Sequence, residues 1–262
     1  MRFFEITPAI LQAAFIVLIM FLTIFVESPK LRRLKQFTSS AARLSALKTG
    51  LVLWWSYALL ALALSGPTGL FQVRRTSADI GWLLANPVFH TLAIILLAAF
   101  FYLALSPALR CALNPKLRQK CGNAMRQLFF ILPVSDGERR QWVLLCITAG
   151  VCEEIVFRGF LLQYLHGQLN GGWNLDLTSA WLLSSLAFGC GHFYQGPARI
   201  ATTALGGLLF GLLAILSGSL FLPIVLHILV DLAVLWMYHP RLDNPDMAVR
   251  LMQGCAPAAC ES

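Results

Sequence analysis

Seven runs of mostly apolar residues, at 8–27, 49–65, 82–105, 141–162, 177–193, 199–217 and 220–238, follow one another along the chain. Each is close to the roughly 20 residues that a helix needs to cross the hydrocarbon of a bilayer. One soluble core could not bury them all: 58% of the 262 residues are hydrophobic and 12% are charged, against about 25% charged in soluble domains. The fold class that follows is all-α, a polytopic transmembrane helical bundle of about seven spans. The second run is short, and the third contains Asn86-Pro87 and His90, which predicts a tilt, a kink or a late start there.

The net charge of +8 does not point to nucleic acid, because the basic residues sit in loops between apolar runs and not on one soluble face. They report orientation instead. The 28–48 connection carries Lys30, Arg32, Arg33, Lys35, Arg43 and Lys48 with no acid, and the 106–140 connection carries Arg110, Lys116, Arg118, Lys120, Arg126, Arg139 and Arg140 against Asp136 and Glu138. Alternating spans put both connections on one side, the cytoplasmic one by the positive-inside rule. Arg2, Arg74 and Arg75 fall opposite. An odd number of spans then leaves the amino terminus outside and the carboxyl terminus in the cytoplasm.

The amino-terminal MRFFEITPAI holds Glu5 and no obvious small-residue cleavage site follows it, so it reads as a retained first span and not as a removed signal peptide. LFFILPV at 128–134 is too short to span and reads as a loop lying along the membrane surface. Residues 240–262 read as a polar, poorly ordered tail. The seven cysteines form no CxxC pair, and Cys146, Cys152 and Cys190 fall inside apolar runs, which argues for mostly free thiols and against a disulfide framework or a zinc knot.

An ionisable side chain inside a bilayer costs at least a few kcal/mol and asks for a reason. Glu153, Glu154 and Arg158 lie in the fourth run, His192 ends the fifth, and His227 and Asp231 lie in the seventh. At about 100° per residue, Glu154 and Arg158 share a helix face, whereas Glu153 points about 140° away from Arg158. Glu154 is therefore the partner of Arg158. Glu153 is left as a carboxylate without a local counter-ion, the setting of a general acid or base. His227 and Asp231 repeat the i,i+4 spacing, as do Phe188 and His192, so three helices can aim polar groups into one polar cavity. Gly189 and Gly191 allow close approach around His192, and Gly207 with Gly211 makes a GxxxG that could equally face lipid.

These blocks resemble the CPBP intramembrane proteases, the family of the CAAX prenyl endopeptidases and the Abi-type bacterial proteins. The family pattern is EExxxR, FxxxH and HxxxN or HxxxD on successive membrane helices. Here they are Glu153-Glu154-Ile155-Val156-Phe157-Arg158, then Phe188 to His192, then His227 to Asp231. The resemblance covers about residues 138–238. It divides the chain into an amino-terminal transmembrane region, 1–135, a catalytic membrane core, 136–239, and the tail.

What the resemblance implies is a glutamate-type intramembrane endopeptidase without a cofactor, in which Glu153 activates water with help from His192, and His227 with residue 231 stabilises the oxyanion. Glu154, Arg158 and Phe188 would support the site. The better-studied eukaryotic relatives carry asparagine at 231, and Asp231 here must either be protonated to donate or must orient and charge His227 so that the imidazolium donates, of which the second is the favoured role. The substrate implied is a membrane-associated or lipid-modified protein or peptide, the setting a bacterial-type cell membrane, with no nucleic-acid partner. The chain's own CAPAACES end is not a CAAX box.

Three alternatives stay open on the residues. His192, His227 and Glu153 could form an open zinc shell. The same groups could relay protons in a transporter, or belong to a non-catalytic immunity or scaffold protein. Cys152 and Cys190 beside the motifs read as small packing residues and not as nucleophiles. The depths also disagree: His192 ends its run while Glu153 lies mid-span. Either the fifth helix continues toward Gln195-Gly196-Pro197, or a water-filled cavity opens from the cytoplasmic side.

Overall fold

The computed structural model describes residues 8–34, 39–66, 71–74, 81, 86–125, 128, 130–169 and 172–239. Helix α1 runs from Pro8–Phe21 through a π-helical stretch, Leu22–Glu27, into Ser28–Leu34. It is followed by α2 (Ser40–Ser65), α3 (Pro87–Leu113), α4 (Pro115–Ala124) and α5, which passes from Asp136–Glu154 through π-helical Ile155–Leu161 into Leu162–Leu165. Then come α6 (Leu177–Cys190), a 3₁₀ turn (Phe193–Gln195), α7 (Pro197–Ser217) and α8 (Phe221–Leu232 with Val234–Met237). Among the described residues no strand forms beyond an isolated bridge between Gln72 and Ser219.

The sequence marks most helix starts with side-chain caps. Ser39, Asn86, Asn114 and Asp176 accept from backbone N–H groups in the first turns of α2, α3, α4 and α6, which satisfies donors that a helix start leaves orphaned. Asn86-Pro87 is thus a late helix start and not a kink, with Asn86 Oδ1 3.0 Å from Val88 N. Ser135 and Glu138 form a reciprocal capping box on α5.

Every expected run contains a helix. Among the described residues four helices are long and apolar enough to cross a membrane, Pro8–Leu31, Ser40–Ser65, Pro87–Leu113 and Pro197–Ser217, and Leu177–Cys190 and Phe221–Met237 are shorter apolar helices. The fourth run is α5. This is a membrane helical bundle, and its outer apolar surface fits a lipid solvent: α3 exposes Val88, Leu92, Ile95, Leu96 and Leu103. The tail at 240–262 lies outside the described residues.

One hydrophobic core joins the amino-terminal helices to the motif-bearing ones. Phe15 of α1 meets Phe160 of α5 edge-on at 5.2 Å, and Phe157 meets Phe188 of α6 at 5.1 Å, with Tyr57, Ala58 and Ala61 of α2 in the same cluster. The segment expected to lie along the membrane surface tucks side chains into the bundle: Phe130, Leu132 and Val134 are buried, and Leu132 and Val134 pack with Tyr238 beyond α8. Three large apolar side chains gain more from that shelter than from an interface.

A polar latch closes the bundle where α2 and α5 begin. Glu138 accepts from Arg43 Nε at 3.2 Å and Nη2 at 3.0 Å, from Ser40 Oγ, and from Val134 N at 2.6 Å. Burial pushes this carboxyl up, but the bonds from Arg43, Ser40 and Val134 outweigh it and hold Glu138 below the ordinary carboxylate range.

Candidate active site

The site begins with two close helix approaches. A Cβ on Gly150 of α5 would lie 2.5 Å from Ile228 Cγ1, and one on Gly189 of α6 would lie 2.7 Å from both Ala204 Cβ and Ile200 O of α7. Glycine at these points lets α5 press on α8 and α6 on α7. Gly207 and Gly211 face Phe188, Ser185 and Trp181, so this GxxxG packs on α6 and does not face lipid.

Directly after the glutamate pair, α5 widens into its π-helical turn, a local form often found at functional sites. Glu154 is fully buried, and its Oε1 accepts from Arg158 Nη1 at 2.7 Å, the partnership that the helix spacing predicts. Arg158 spends its other nitrogen on Gly207 O at 3.1 Å and lies 4.4 Å over the Phe188 ring. A buried guanidinium is tolerable here because a carboxylate, a carbonyl and an aromatic face replace its water.

The same Glu154 Oε1 also takes His227 Nδ1 at 2.8 Å. Sequence spacing pairs His227 with Asp231, but the shortest carboxylate contact is with Glu154, on another helix. His227 stacks on Phe210 at 4.8 Å and meets Phe188 edge-on at 6.0 Å. This fixes the ring so that Nε2 lies 3.9 Å from Glu153 Oε2 and 3.7 Å from Asp231 Oδ2. Glu153, His227 and Asp231 therefore converge. Asp231 keeps 34% of its side chain exposed, whereas Glu153 keeps 8%.

His192 lies just past the end of α6, which stops at Cys190 and does not run on to Gln195. Its Nδ1 is 3.1 Å from Phe188 O. A carbonyl can only accept, so Nδ1 carries the hydrogen and the neutral ring keeps its lone pair on Nε2. A cavity of about 580 Å³ is lined by His192, Glu153 and Asp231 together. This cavity answers the disagreement of depths, since it spans the distance from the end of α6 to the middle of α5.

Sequence reasoning missed the opposite wall. Thr23, Glu27 and Lys30 of α1 and Trp54 of α2 line the cavity with Tyr194 and Gln195. Tyr57 donates to Glu27 Oε1 at 2.9 Å, and Gln195 Nε2 donates to Tyr194 Oη at 2.8 Å. An acid closing the first apolar run was the available signal for Glu27.

Cys152 is buried in the core, and the cysteine that lines the cavity is Cys146. Among the described residues no group of three or more His, Cys, Asp or Glu side chains is placed to hold a metal ion, the trio His192, His227 and Glu153 included.

Residues 137–233 match the family model described as Rce1-like, type II CAAX prenyl endopeptidase. The match contains all three motif blocks, and no curated protein or solved structure gives a significant match.

Proposed function

From the match of residues 137–233 to the Rce1-like type II CAAX prenyl endopeptidase family model, we propose that this integral membrane protein cleaves a membrane-associated or lipid-modified protein or peptide by glutamate-activated water. The observation that carries this reading is the division of labour within the glutamate pair. Glu154 is committed to Arg158 and His227, whereas Glu153 has no hydrogen-bonded cation among the described residues and faces the cavity with His192.

In this mechanism a water between Glu153 and His192 Nε2 gives its proton to Glu153 while its oxygen attacks the scissile carbonyl carbon. General-base assistance of this kind contributes about 10²–10⁴-fold. The developing oxyanion takes a hydrogen bond from His227 Nε2, which requires the imidazolium because Nδ1 already donates to Glu154. Glu154 on one side, with Glu153 and Asp231 on the other, provides the negative surroundings of that cation. Collapse of the tetrahedral intermediate then moves the proton from Glu153 to the leaving amine.

The test is Glu153→Gln in protein reconstituted into liposomes with a peptide bearing a prenylated cysteine near its carboxyl end. Cleavage is expected to fall by about 10²–10⁴-fold at normal membrane abundance. Unchanged cleavage of that peptide by the variant would remove Glu153 from the reaction.

A further inference from the structure

Away from the cavity, the chain turns from α3 into α4 at Asn114, whose side chain accepts from Leu117 N at 3.2 Å, with Pro115 at the first helical position. This capped corner sets Cys111 Sγ 3.0 Å from Cys121 Sγ. Forming the bond of about 2.0 Å needs a sulfur movement of only about 1 Å. Among the described residues these are the cysteine sulfurs recorded in mutual contact, and neither lines the cavity.

We propose that Cys111 and Cys121 form a thiol–disulfide couple, a modification site whose co-reactant is a small anionic disulfide of the glutathione class. The two thiols differ in access, because Cys111 is fully buried and Cys121 is partly exposed. Around them Arg110, Lys116 and Lys120 are exposed, a cationic face that concentrates an anionic reagent.

The chemistry runs in two exchanges. Cys121 gives up its proton and attacks one sulfur of the small disulfide; that S–S bond breaks and the first small thiol leaves with the proton. Cys111 then gives up its proton and attacks the Cys121 sulfur, which expels the second small thiol. The protein loses two electrons and two protons, and the reagent gains both. On the cytoplasmic face that the charge pattern predicts, where thiols are kept reduced, such a bond is reversible and not a permanent staple. Its formation fixes α4 to α3 where Gly122 backs onto the Tyr238 ring, at 3.5 Å from an added Cβ.

The experiment treats the full-length protein in detergent with glutathione disulfide, then unfolds it, alkylates the remaining thiols and maps peptides by mass spectrometry. Cys111 and Cys121 should disappear from the alkylated pool in step, in a linked peptide that dithiothreitol dissolves, at oxidant levels that leave Cys146 and Cys152 alkylated. Cys111→Ser should stop the reaction at Cys121 joined to glutathione. Wild-type protein in which Cys121 carries glutathione while Cys111 stays alkylated, or in which either links to another cysteine, overturns the couple. The wild-type map decides the matter if the variant does not fold.

Discussion

His227 Nδ1 lies 2.8 Å from Glu154 Oε1, so the histidine of the third motif is held by the second glutamate of the first. Removing charge from the two glutamates should therefore have different structural effects. Glu154→Gln leaves Arg158 buried without its counter-ion, a loss of about 3–5 kcal/mol for a broken buried pair. It also frees His227 to turn. Glu153→Gln removes a carboxylate that has no hydrogen-bonded cation among the described residues and stands 3.9 Å from His227 Nε2, so folding should suffer far less while cleavage fails. Thermal unfolding followed by size-exclusion chromatography separates the two. Equal midpoints for both variants would contradict the assigned roles.

Asp231 stands 3.7 Å from His227 Nε2 and is more open to the cavity than Glu153. With Glu154 Oε1 2.8 Å from Nδ1 on the other side of the imidazole, we propose that Glu154, more than the carboxylate at 231, orients the ring. Asp231→Asn should keep cleavage within about tenfold, since an amide can donate directly to the oxyanion. Asp231→Ala, which leaves neither donor nor charge, should lower kcat by about 10²-fold or more, on the scale of a lost oxyanion donor. Equal loss in both variants would show that the charge itself is required.

The presence of a helix in each apolar run and the Glu154–Arg158 pairing were legible in the sequence because both rest on local periodicity, whereas α4 forms inside what reads as a connection. What spacing cannot see is a partner on another helix. Spacing pairs His227 with Asp231, its neighbour on α8 at 3.7 Å, while the closer carboxylate comes from α5, which Gly150 lets press on α8. The burial of Phe130 and Leu132 was hidden for the same reason, as was the α1 wall of the cavity. The Arg43–Glu138 latch joins residues that are 95 positions apart, and nothing local announces it.

If zinc were the electrophile, Nε2 of His192 and His227 would have to serve as its imidazole donors, since both Nδ1 atoms face hydrogen-bond acceptors. The glutamate mechanism instead predicts undiminished cleavage after exhaustive dialysis against a strong chelator. Activity lost in chelator and restored by zinc alone would assign Glu153, His192 and His227 to a metal shell.

Gly189 sets how closely α6 approaches α7, and one turn later α6 delivers His192. A methyl group at 189 would sit 2.7 Å from Ala204 Cβ and from the Ile200 carbonyl, which is backbone and cannot swing away. Gly189→Ala should cost about 1–3 kcal/mol by overpacking. It should also lower kcat more than it raises KM, because the histidine moves while the α1 and α2 walls of the cavity stay. Gly206→Ala is the control, since a Cβ there meets nothing within 4 Å.

The Glu138 latch predicts an acid limit to stability. Its carboxyl lies below the ordinary range in the folded protein, and the unfolded chain has the ordinary value near 4.3. A depressed folded pKa adds stability that is complete above the unfolded pKa and is lost as pH falls through the folded one. Wild-type protein in detergent should therefore lose thermal stability progressively below about pH 4. Glu138→Gln cannot lose what it lacks. It should start lower at pH 7, by about 3–5 kcal/mol for a broken buried pair, and show a flatter profile on the acid side. Parallel profiles for the two proteins between pH 7 and the acid limit would mean that another carboxylate sets it.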